Sequence, residues 1–342
     1  MILDKLYNLI TADMAMDLGT ANTLIHVRGM GIVLNEPSVV VISKKTGKLM
    51  AIGAEAKAMY GKTPDEYQAI RPMKDGVIAD FDSTRKMIAY FISRSQPHRF
   101  KLKPRIVIGV PSGITQVEKK AVIDSAMAAG VRQVSLIEEP MAAAIGTKMP
   151  VGDSVGNLIV DIGGGTTEVA IISMYATAYG ESIRVAGDEL DEAIVRYMRQ
   201  KRNLDIGIFE GERIKMTIGT AFPLEEKLPP MKTYGRDVVS GLPVTVMVAD
   251  DEVREAMEEP VRAIVESTRR AMEKTTPEFS QDISNRGIVL AGGGALLKGL
   301  GARLKKELGV PVYRSKDPLT AICRGAGIVL EDWKRFRRVT IN

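Results

Sequence analysis

The chain has very few of the residues that build disulfide frameworks, zinc sites and histidine-based active sites. It contains one cysteine, Cys323, and two histidines, His26 and His98, among 342 residues. A single cysteine excludes an internal disulfide and is typical of a protein from a reducing cytoplasm. No cysteine or histidine pair has the spacing of a zinc site, and a histidine-based catalytic triad has almost no candidates. His26 lies in an apolar, strand-like segment, so we interpret it as structural.

Long apolar runs and basic clusters are also lacking. No segment reaches the roughly 18–20 apolar residues of a membrane span. The net charge is +5 and 26% of the residues are charged, but the basic residues are scattered along the chain. We therefore expect no nucleic-acid partner. With 45% hydrophobic residues in 342, the chain is long enough to bury a large core and is expected to form more than one domain.

The two ends of the chain carry candidate membrane contacts. Residues 1–10, wound as a helix, place apolar residues on one broad face and Asp4, Lys5 and Asn8 on the other. The segment lacks the basic start of a signal peptide. It forms either a helix docked on its own domain or a weak membrane anchor, strengthened by an array of chains, that inserts Ile2, Leu3, Leu6 and Ile10. Residues 333–338 mix aromatic and basic side chains and form either an anionic-membrane contact or a polar tail.

Strand-like and helix-like segments alternate along the chain, which predicts an α/β fold. Residues 222–243, rich in proline, glycine and charge, are interpreted as turns between short strands. The predicted strands are 13–17, 23–28, 31–35, 38–43, 105–110, 134–137, 157–161, 168–173, 183–185, 244–248 and 287–291. The predicted helices are 83–95, 115–129, 140–146, 188–202, 210–218, 251–274, 295–307 and 318–330.

Two aspartates each open a glycine–threonine turn between apolar segments. Residues 17–23 read Asp-Leu-Gly-Thr-Ala-Asn-Thr, and residues 161–168 read Asp-Ile-Gly-Gly-Gly-Thr-Thr-Glu. Each pattern predicts a β-hairpin with a tip of small residues. Glycine lets backbone N–H groups approach an anion, and an aspartate at a strand end can hold hydrated magnesium. Two such tips facing each other would grip a triphosphate, and the repeated pattern suggests two related halves.

A third glycine cluster, at residues 288–297, follows a strand-like segment and leads into a helix. This arrangement directs free N–H groups and a positive helix end toward a ligand. Two alternatives are a dinucleotide-binding fingerprint and plain helix–strand packing. The cluster does not open the fold, and no strand-ending acid follows about 20 residues later, which argues against the fingerprint. A nucleotide contact fits the two hairpins best.

Two adjacent acids end the predicted strand at residues 134–137. Glu138 and Glu139 precede Pro140, which favours the first turn of a helix of small residues. A carboxylate at the carboxyl end of a strand can reach a ligand in the cleft, so Glu138 is our candidate to orient a water for attack on a γ-phosphate. Capping of the helix N-terminus is the alternative for either acid and suits Glu139 better.

In this order, the two hairpins, the acid-ending strand and the third glycine loop resemble the actin/Hsp70/sugar-kinase superfamily. The chain resembles more specifically the MreB family of bacterial actin homologues. The stretch 69–81 distinguishes this family from other members of the superfamily, and we interpret it as unnecessary for phosphate binding. The stretches that carry the resemblance span nearly the whole chain: 17–25, 34–40, 69–81, 137–146, 160–169, 212–215, 282–284 and 292–297.

The resemblance implies an actin-like ATPase fold with two related halves around a nucleotide cleft, each half with a large and a small subdomain. The implied bounds are 1–39, 83–150 and 322–342 for subdomain IA, 40–82 for IB, 151–187 and 249–321 for IIA, and 188–248 for IIB.

The resemblance also assigns roles to residues around ATP or ADP and Mg²⁺. Asp17 and Asp161 would hold the magnesium ion, mostly through water, and Glu138, helped by Thr167, would position the attacking water. Phosphate would contact Thr20, Ala21, Asn22, Gly163, Gly164, Gly165 and Thr166. The adenosine would lie between Glu212, Arg213, Ile214 and Lys215 on one side and Gly292, Gly293, Gly294, Ala295 and Leu296 on the other, with Gly187, Asp188 and Glu189 on the ribose side.

The implied function is slow ATP hydrolysis coupled to polymerisation into paired antiparallel filaments. These filaments would lie at the inner face of the cell membrane and guide cell-wall synthesis with MreC-, MreD- and RodZ-type partners to maintain rod shape. One alternative is an actin-like paralogue without a role in shape. Another is a sugar or acid kinase, for which no polar sugar pocket is identifiable. An Hsp70-like chaperone would need a further substrate-binding domain.

Overall fold

The computed structural model describes residues 12–96 and 103–341. Strands and helices alternate through these ranges, so the predicted α/β class is confirmed. The predicted amphipathic segment at residues 1–10 lies outside the described residues. Within the described ranges, no helix is both long and apolar enough to cross a membrane.

The first half of the chain forms most of a six-stranded sheet and a small three-stranded sheet. Its elements, in chain order, are β1 Met14–Leu18, β2 Asn22–Val27, β3 Gly31–Pro37, β4 Val40–Ser43, β5 Leu49–Ile52, α1 Ala54–Met59, β6 Tyr67–Ile70, β7 Met73–Lys74, β8 Val77–Ile78, α2 Phe81–Ser95, β9 Arg105–Val110, α3 Gln116–Ala128, β10 Gln133–Glu138 and α4 Glu139–Gly146.

The second half forms a five-stranded sheet and another small sheet, after which the chain returns to the first half. Short 3₁₀ turns occupy Gly293–Leu296, Pro318–Thr320 and Arg337–Val339. The strands and helices are β11 Asn157–Ile162, β12 Thr167–Ser173, β13 Ala176–Ile183, α5 Gly187–Arg202, β14 Leu204–Asp205, α6 Ile208–Ile218, β15 Met231–Asp237, β16 Pro243–Val248, α7 Asp250–Ala256, α8 Glu258–Glu273, α9 Pro277–Arg286, β17 Ile288–Ala291, α10 Leu300–Leu308, β18 Val312–Arg314, α11 Ala321–Glu331, α12 Trp333–Phe336 and β19 Thr340–Ile341.

The two large sheets have the same topology. The first has the order β3-β2-β1-β9-β10 with β19 added at the β10 edge, and the second has the order β13-β12-β11-β17-β18. In both, three antiparallel strands are followed by two strands parallel to the hairpin's first strand. The suggestion of two related halves therefore agrees with the observed sheets.

Both predicted hairpins are present. Strands β1 and β2 pair from Met14–Val27 to Leu18–Thr23, and β11 and β12 pair from Asn157–Ile172 to Ile162–Thr167. Strands β1 and β11 are buried along their whole length, as expected for central strands covered on both faces. The tips of the two hairpins lie at the carboxyl ends of β1 and β11.

The joint between the halves is a close crossing of two helices, α4 and α11. A Cβ atom at Gly325 would overlap the carbonyl oxygen of Ala142, and one at Gly146 would overlap that of Ala321. Small residues on both helices therefore allow backbone-to-backbone contact. Helix α4 leads from the first sheet toward the second, and α11 leads back, so this crossing lies where the chain passes between the halves.

Several elements differ from the sequence prediction. Predicted bounds are lacking for strands β5, β6, β7, β8, β14, β15, β18 and β19 and for helices α1, α9 and α12. The strand predicted at 183–185 is instead β13, which ends at Ile183. The long helix predicted at 251–274 is interrupted at Met257, between α7 and α8. The small sheets fall within 40–82 and 188–248, while the four subdomain bounds stay a prediction.

The segment 333–338 is not a frayed tail. Helix α12 buries Phe336, and Trp333 lies under the Arg105 guanidinium, 4.9 Å from the ring centre. The interpretation of this segment as a polar tail is therefore wrong.

Candidate functional site

A cleft at the carboxyl ends of β1 and β11 contains a cavity of about 410 Å³. This volume lies in the range of about 300–1,000 Å³ that is common for small-molecule sites. The hairpin tips, the third glycine loop and helix α6 all contribute to its walls. The predicted site residues that line it are Asp17, Thr20, Ala21, Asn22, Asp161, Gly163, Gly164, Gly165, Thr166, Gly187, Glu212, Lys215, Gly292, Gly293, Gly294 and Leu296.

The two hairpin tips face each other closely. A Cβ atom at Gly164 would lie 2.8 Å from the Cβ of Ala21, and one at Gly165 would lie 2.7 Å from the Thr20 Oγ1. Side chains at these glycines would push the tips, and with them the halves, apart. The glycines therefore serve the approach of the two tips as well as exposing backbone around the cavity.

Gly76 completes this contact from outside the tips. Its backbone N–H donates to Thr20 Oγ1 over 3.1 Å, and Gly76 itself lines the cavity. Its φ of +76° and its position against Thr166 favour glycine. Gly76 from the stretch 69–81 therefore lies against the hairpin tips, while the interpretation that this stretch is unnecessary for phosphate binding stays a prediction.

Three of the carboxylates that line the cavity come from both halves and lie close enough to affect one another's pKa: Asp17, Glu139 and Asp161. Burial raises the pKa of Asp17 to about 7. Burial, Glu168 and the other two cavity acids raise the pKa of Glu139 well above its usual range. The pKa of Asp161 is raised well above its usual range by burial, Asp17 and Glu168. A group that compensates this negative charge would stabilise all three in their ionised forms.

The structure places Glu139, and not Glu138, in the cavity. The Glu138 carboxylate instead accepts a hydrogen bond of 2.9 Å from Thr177 Oγ1 on β13. Strand β10 ends at Glu138 and helix α4 begins at Glu139, so the two side chains leave the backbone in different directions. The role predicted for Glu138 is inconsistent with this placement.

Thr167 is also directed elsewhere. Its buried hydroxyl donates to the Val185 carbonyl over 2.7 Å, whereas Thr166 lines the cavity. Successive residues at the start of β12 point to opposite faces of the sheet, so only one of the two threonines can face the cleft.

Helix α6 and its capping residue Gly219 present one face to the cavity: Glu212, Lys215, Met216 and Gly219. These positions follow helical spacing, so Arg213 and Ile214 fall on other faces. Arg213 forms an exposed ion pair with Glu210, and Ile214 is fully buried in the core. The predicted ligand contacts at Arg213 and Ile214 do not line the cavity. Counting helical turns from Glu212 would have predicted Met216 and Gly219 as cavity residues instead of Arg213 and Ile214.

The third glycine loop packs tightly under the second hairpin. Gly292 has φ +77°, and a Cβ there would overlap the Ile162 carbonyl. Gly292, Gly293, Gly294 and Leu296 line the cavity, but Ala295 points into the core and does not. The short 3₁₀ turn at this loop replaces the first turn of the helix predicted at 295–307.

Sequence reasoning missed several further lining residues. Asp191 lies on α5 one helical turn after Gly187, and burial raises the pKa of Asp191 to about 6. Asp188, which the resemblance had placed with Gly187, also lines the cavity, whereas Glu189 does not. Lys215 Nζ lies 2.8 Å from Asp191 Oδ1 and donates to the Gly187 carbonyl over 2.8 Å. Pro318 and Leu319 line the cavity from a 3₁₀ turn at the start of the helix predicted at 318–330, where no ligand contact was predicted.

The acids fit a hard divalent cation such as Mg²⁺. Asp161 Oδ1 is buried and has no hydrogen-bond partner in the described part of the chain. Oxygen ligands are what Mg²⁺ prefers, and it usually takes one or two carboxylates with waters and substrate phosphates. Within residues 12–96 and 103–341, no group of three or more His, Cys, Asp and Glu side chains is placed to hold a metal ion. Asp17 and Asp161 therefore fit an ion that is held jointly with waters and the phosphates of a ligand, and not one held by the protein alone.

These acids predict how the stability of the ligand-free protein depends on pH. Because the pKa of Asp17 rises from 3.8 to about 7 on folding, the folded state holds this proton more tightly than the unfolded chain. This stabilisation is complete below pH 3.8 and is lost as the pH rises through about 7. Thermal melting without metal or nucleotide should therefore show a Tm that falls between pH 5 and pH 8.

The variant Asp17→Asn should flatten this dependence, since asparagine cannot ionise. Asp124→Asn, on the exposed side of α3, is the matched control and should keep the wild-type slope. An Asp17→Asn slope equal to that of the control would contradict the assignment.

The matching halves and the cleft between them define the class of the protein: it has an actin-like ATPase fold. A crystal structure of MreB5 of Spiroplasma citri bound to AMPPNP superposes with a TM-score of 0.90 at 34% identity, over 95% of this chain and 97% of that one. The family model described as MreB/Mbl protein matches residues 11–338. The chain belongs to the MreB/Mbl family.

Curated relatives agree. The cell shape-determining protein MreB of Haemophilus influenzae is 48% identical over 337 residues, which cover 97% of this chain and 96% of the relative. The cell shape-determining protein Mbl of Bacillus cereus is 47% identical over 324 residues, which cover 95% of this chain and 97% of the relative. The resemblance inferred from the sequence motifs is confirmed.

Proposed function

We propose that the chain binds ATP and Mg²⁺ in the cleft, hydrolyses ATP and assembles into filaments that determine cell shape. The observation that carries this proposal is the meeting of Asp17, Glu139 and Asp161, contributed by both halves, beside two opposed glycine tips. A ligand gripped by both tips links the two halves directly. Family membership supports the role in cell shape.

The cavity walls suggest how a nucleotide lies. The tips at residues 19–22 and 163–166 would receive the phosphates, because they combine small residues with threonine hydroxyls. The adenosine would lie between the α6 face and the glycine loop at 292–294, beside the apolar Met216 and Leu296. Asp17 and Asp161 would hold Mg²⁺, which when bound neutralises charge on the phosphate oxygens.

Glu139 is our candidate to orient the attacking water and accept its proton, in place of Glu138. It lies within the cavity beside the two aspartates, whereas Glu138 is bonded to Thr177. To accept a proton, Glu139 must be ionised, and its raised pKa opposes this without a compensating charge in the cleft. Thr166 replaces Thr167 as the hydroxyl nearest the cleft. In this arrangement the protein contributes mainly the positioning of the reactants and the neutralisation of charge, so we expect slow hydrolysis.

Assembly would follow from closure of the cleft. A nucleotide that holds the two tips together fixes the angle between the halves and so the shape of the surfaces at both ends of the subunit. Repeated head-to-tail contacts generate open filaments. We propose paired antiparallel filaments in the cytoplasm, at the inner membrane face, acting with MreC-, MreD- and RodZ-type partners of the wall-elongation machinery.

Sedimentation tests the assembly proposal. The chain should pellet with ATP and Mg²⁺ and remain in the supernatant with either one alone, because closure needs both the nucleotide and neutralised charge. ATP turnover that requires an added sugar or acid, without pelleting, would instead support the kinase alternative.

Binding to liposomes tests the anchor at residues 1–10. Removal of these residues should abolish liposome binding and spare pelleting, because the apolar Ile2, Leu3, Leu6 and Ile10 are lost while the cleft is intact. The matched control is the full chain with Asp4→Asn, which keeps the apolar face. Equal binding by the truncated chain would reject the anchor.

A further inference from the structure

Two ion pairs connect the small sheet of the first half to helices of the second half. Lys57 Nζ, on α1, lies 2.6 Å from Glu212 Oε2 on α6. Arg71 Nη1, just after β6, lies 2.9 Å from Asp188 Oδ1 on α5. The two pairs join segments that are far apart in the chain, so they hold the halves together away from the α4–α11 crossing.

An aromatic side chain lies between the two pairs. The Phe209 ring, near the start of α6, has Lys57 Nζ 4.9 Å and the Arg71 guanidinium 5.4 Å from its centre. The Tyr60 ring meets it edge-on with 5.1 Å between ring centres. Both cations thus contact one ring while each pairs with a carboxylate. We call Lys57, Tyr60, Arg71, Asp188, Phe209 and Glu212 the clasp.

The two acids of the clasp also belong to the ligand cavity. Asp188 and Glu212 line it, whereas their cationic partners Lys57 and Arg71 do not. Each of these acids is therefore fixed from outside the cavity by a cation of the opposite half. A change in the clasp would move two cavity walls, and a change in the cavity would move the clasp.

We propose that Lys57 and Arg71 are positioning residues that close the cleft over a bound nucleotide, and that the clasp must open before the nucleotide can leave. This inference rests on the proposed nucleotide site. The clasp spans the two halves, so it can break without disturbing either sheet. The α4–α11 crossing remains in place and acts as the pivot.

The clasp is suited to repeated opening. Its four charged side chains keep between 20% and 34% of their surface exposed, so each pair is weak enough to exchange for water. Salt also weakens such partly exposed ion pairs, although less than it weakens fully exposed ones. The rate of nucleotide release should therefore rise with ionic strength in the unaltered chain.

The experiment is stopped-flow release of a fluorescent ATP analogue, with Mg²⁺, from the full chain. Lys57→Gln and Arg71→Gln should each accelerate release about threefold, and the double variant about tenfold, given the usual strength of weak, partly exposed ion pairs and cation–π contacts. The double variant should also lose most of the salt dependence. Arg71→Lys, which keeps the charge, should restore much of the slow release.

Lys62→Gln is the matched control, since Lys62 is exposed, follows α1 closely and lies outside the clasp. Release from the double variant within the range of this control would overturn the clasp. So would slower entry of the analogue with unchanged release, because the two cations would then only shape the cavity.

The clasp and the proposed function fail in different ways. If the unaltered chain does not bind the analogue, the proposed function is overturned. If it binds, and release is insensitive to Lys57 and Arg71, only the clasp is overturned.

Discussion

Replacement of Glu139 by glutamine is expected to slow phosphate release by about 100-fold or more, the usual contribution of a positioned general base. Glutamine keeps the shape of the side chain but cannot accept the proton of the attacking water. Nucleotide affinity should be maintained or slightly increased, because one of three crowded negative charges in the cavity is removed. Phosphate release under single-turnover conditions, with separately measured binding, gives both quantities.

Glu138→Gln is the matched control for this experiment. The two residues are adjacent, but Glu138 contacts Thr177 and does not line the cavity. Its replacement should change turnover by less than about threefold, the scale of one weak hydrogen bond. A large loss with Glu138→Gln and little loss with Glu139→Gln would reverse our assignment and restore the one made from the sequence.

The substitution Gly325→Ala is expected to destabilise the fold by about 3 kcal/mol or more, at the upper end of overpacking effects. The added Cβ would overlap the Ala142 carbonyl oxygen and approach the Gly146 nitrogen, and neither backbone atom can move without shifting α4 against α11. Thermal or denaturant unfolding measures this loss. Because α4 carries Glu139, turnover should fall as well.

Gly301→Ala is the comparison on another helix. A Cβ at Gly301, in α10, would meet only Val312 Cγ1 at 3.8 Å, which is ordinary contact. Alanine should leave stability unchanged or raise it by up to about 1 kcal/mol through helix propensity. Similar effects of the two substitutions would show that the close crossing of α4 and α11 does not limit stability.

The hairpins were predictable because their signal is local. An aspartate, small residues and flanking apolar segments lie within about ten positions, and backbone conformation at such turns depends mainly on the residues themselves. The meeting of the two tips could be inferred only as a hypothesis, since it depends on how the two sheets pack. The resemblance to a known family supplied that arrangement.

The choice between Glu138 and Glu139 could not be made from the sequence. Two adjacent acids at a junction between strand and helix exchange roles when the strand ends one residue earlier or later, and boundaries are the least certain part of such predictions. The α6 contacts are different. Helical spacing from Glu212 already separates Met216 and Gly219 from Arg213 and Ile214, so this part of the cavity was accessible to sequence reasoning.

The small sheets were hard to predict for another reason. Strands β5 and β6 have four residues each and carry exposed or half-exposed positions, so their apolar pattern is too short to recognise. Strand β15 contains Gly235 and lies within a segment dominated by turn-forming residues. Pairing with neighbours that lie elsewhere in the chain stabilises such strands more than their own composition does.

Strand β19 adds the last strand to the first sheet, and helix α11 packs against this sheet and α4. The entire second sheet precedes both elements in the chain. During synthesis on the ribosome, the edge of β10 therefore stays unpaired, and the small residues of α4 stay uncovered, until residues 321–341 have emerged. The second sheet uses only strands between Asn157 and Arg314, so it can form before then. A newly made chain is thus most vulnerable to edge-to-edge aggregation at β10 during this interval.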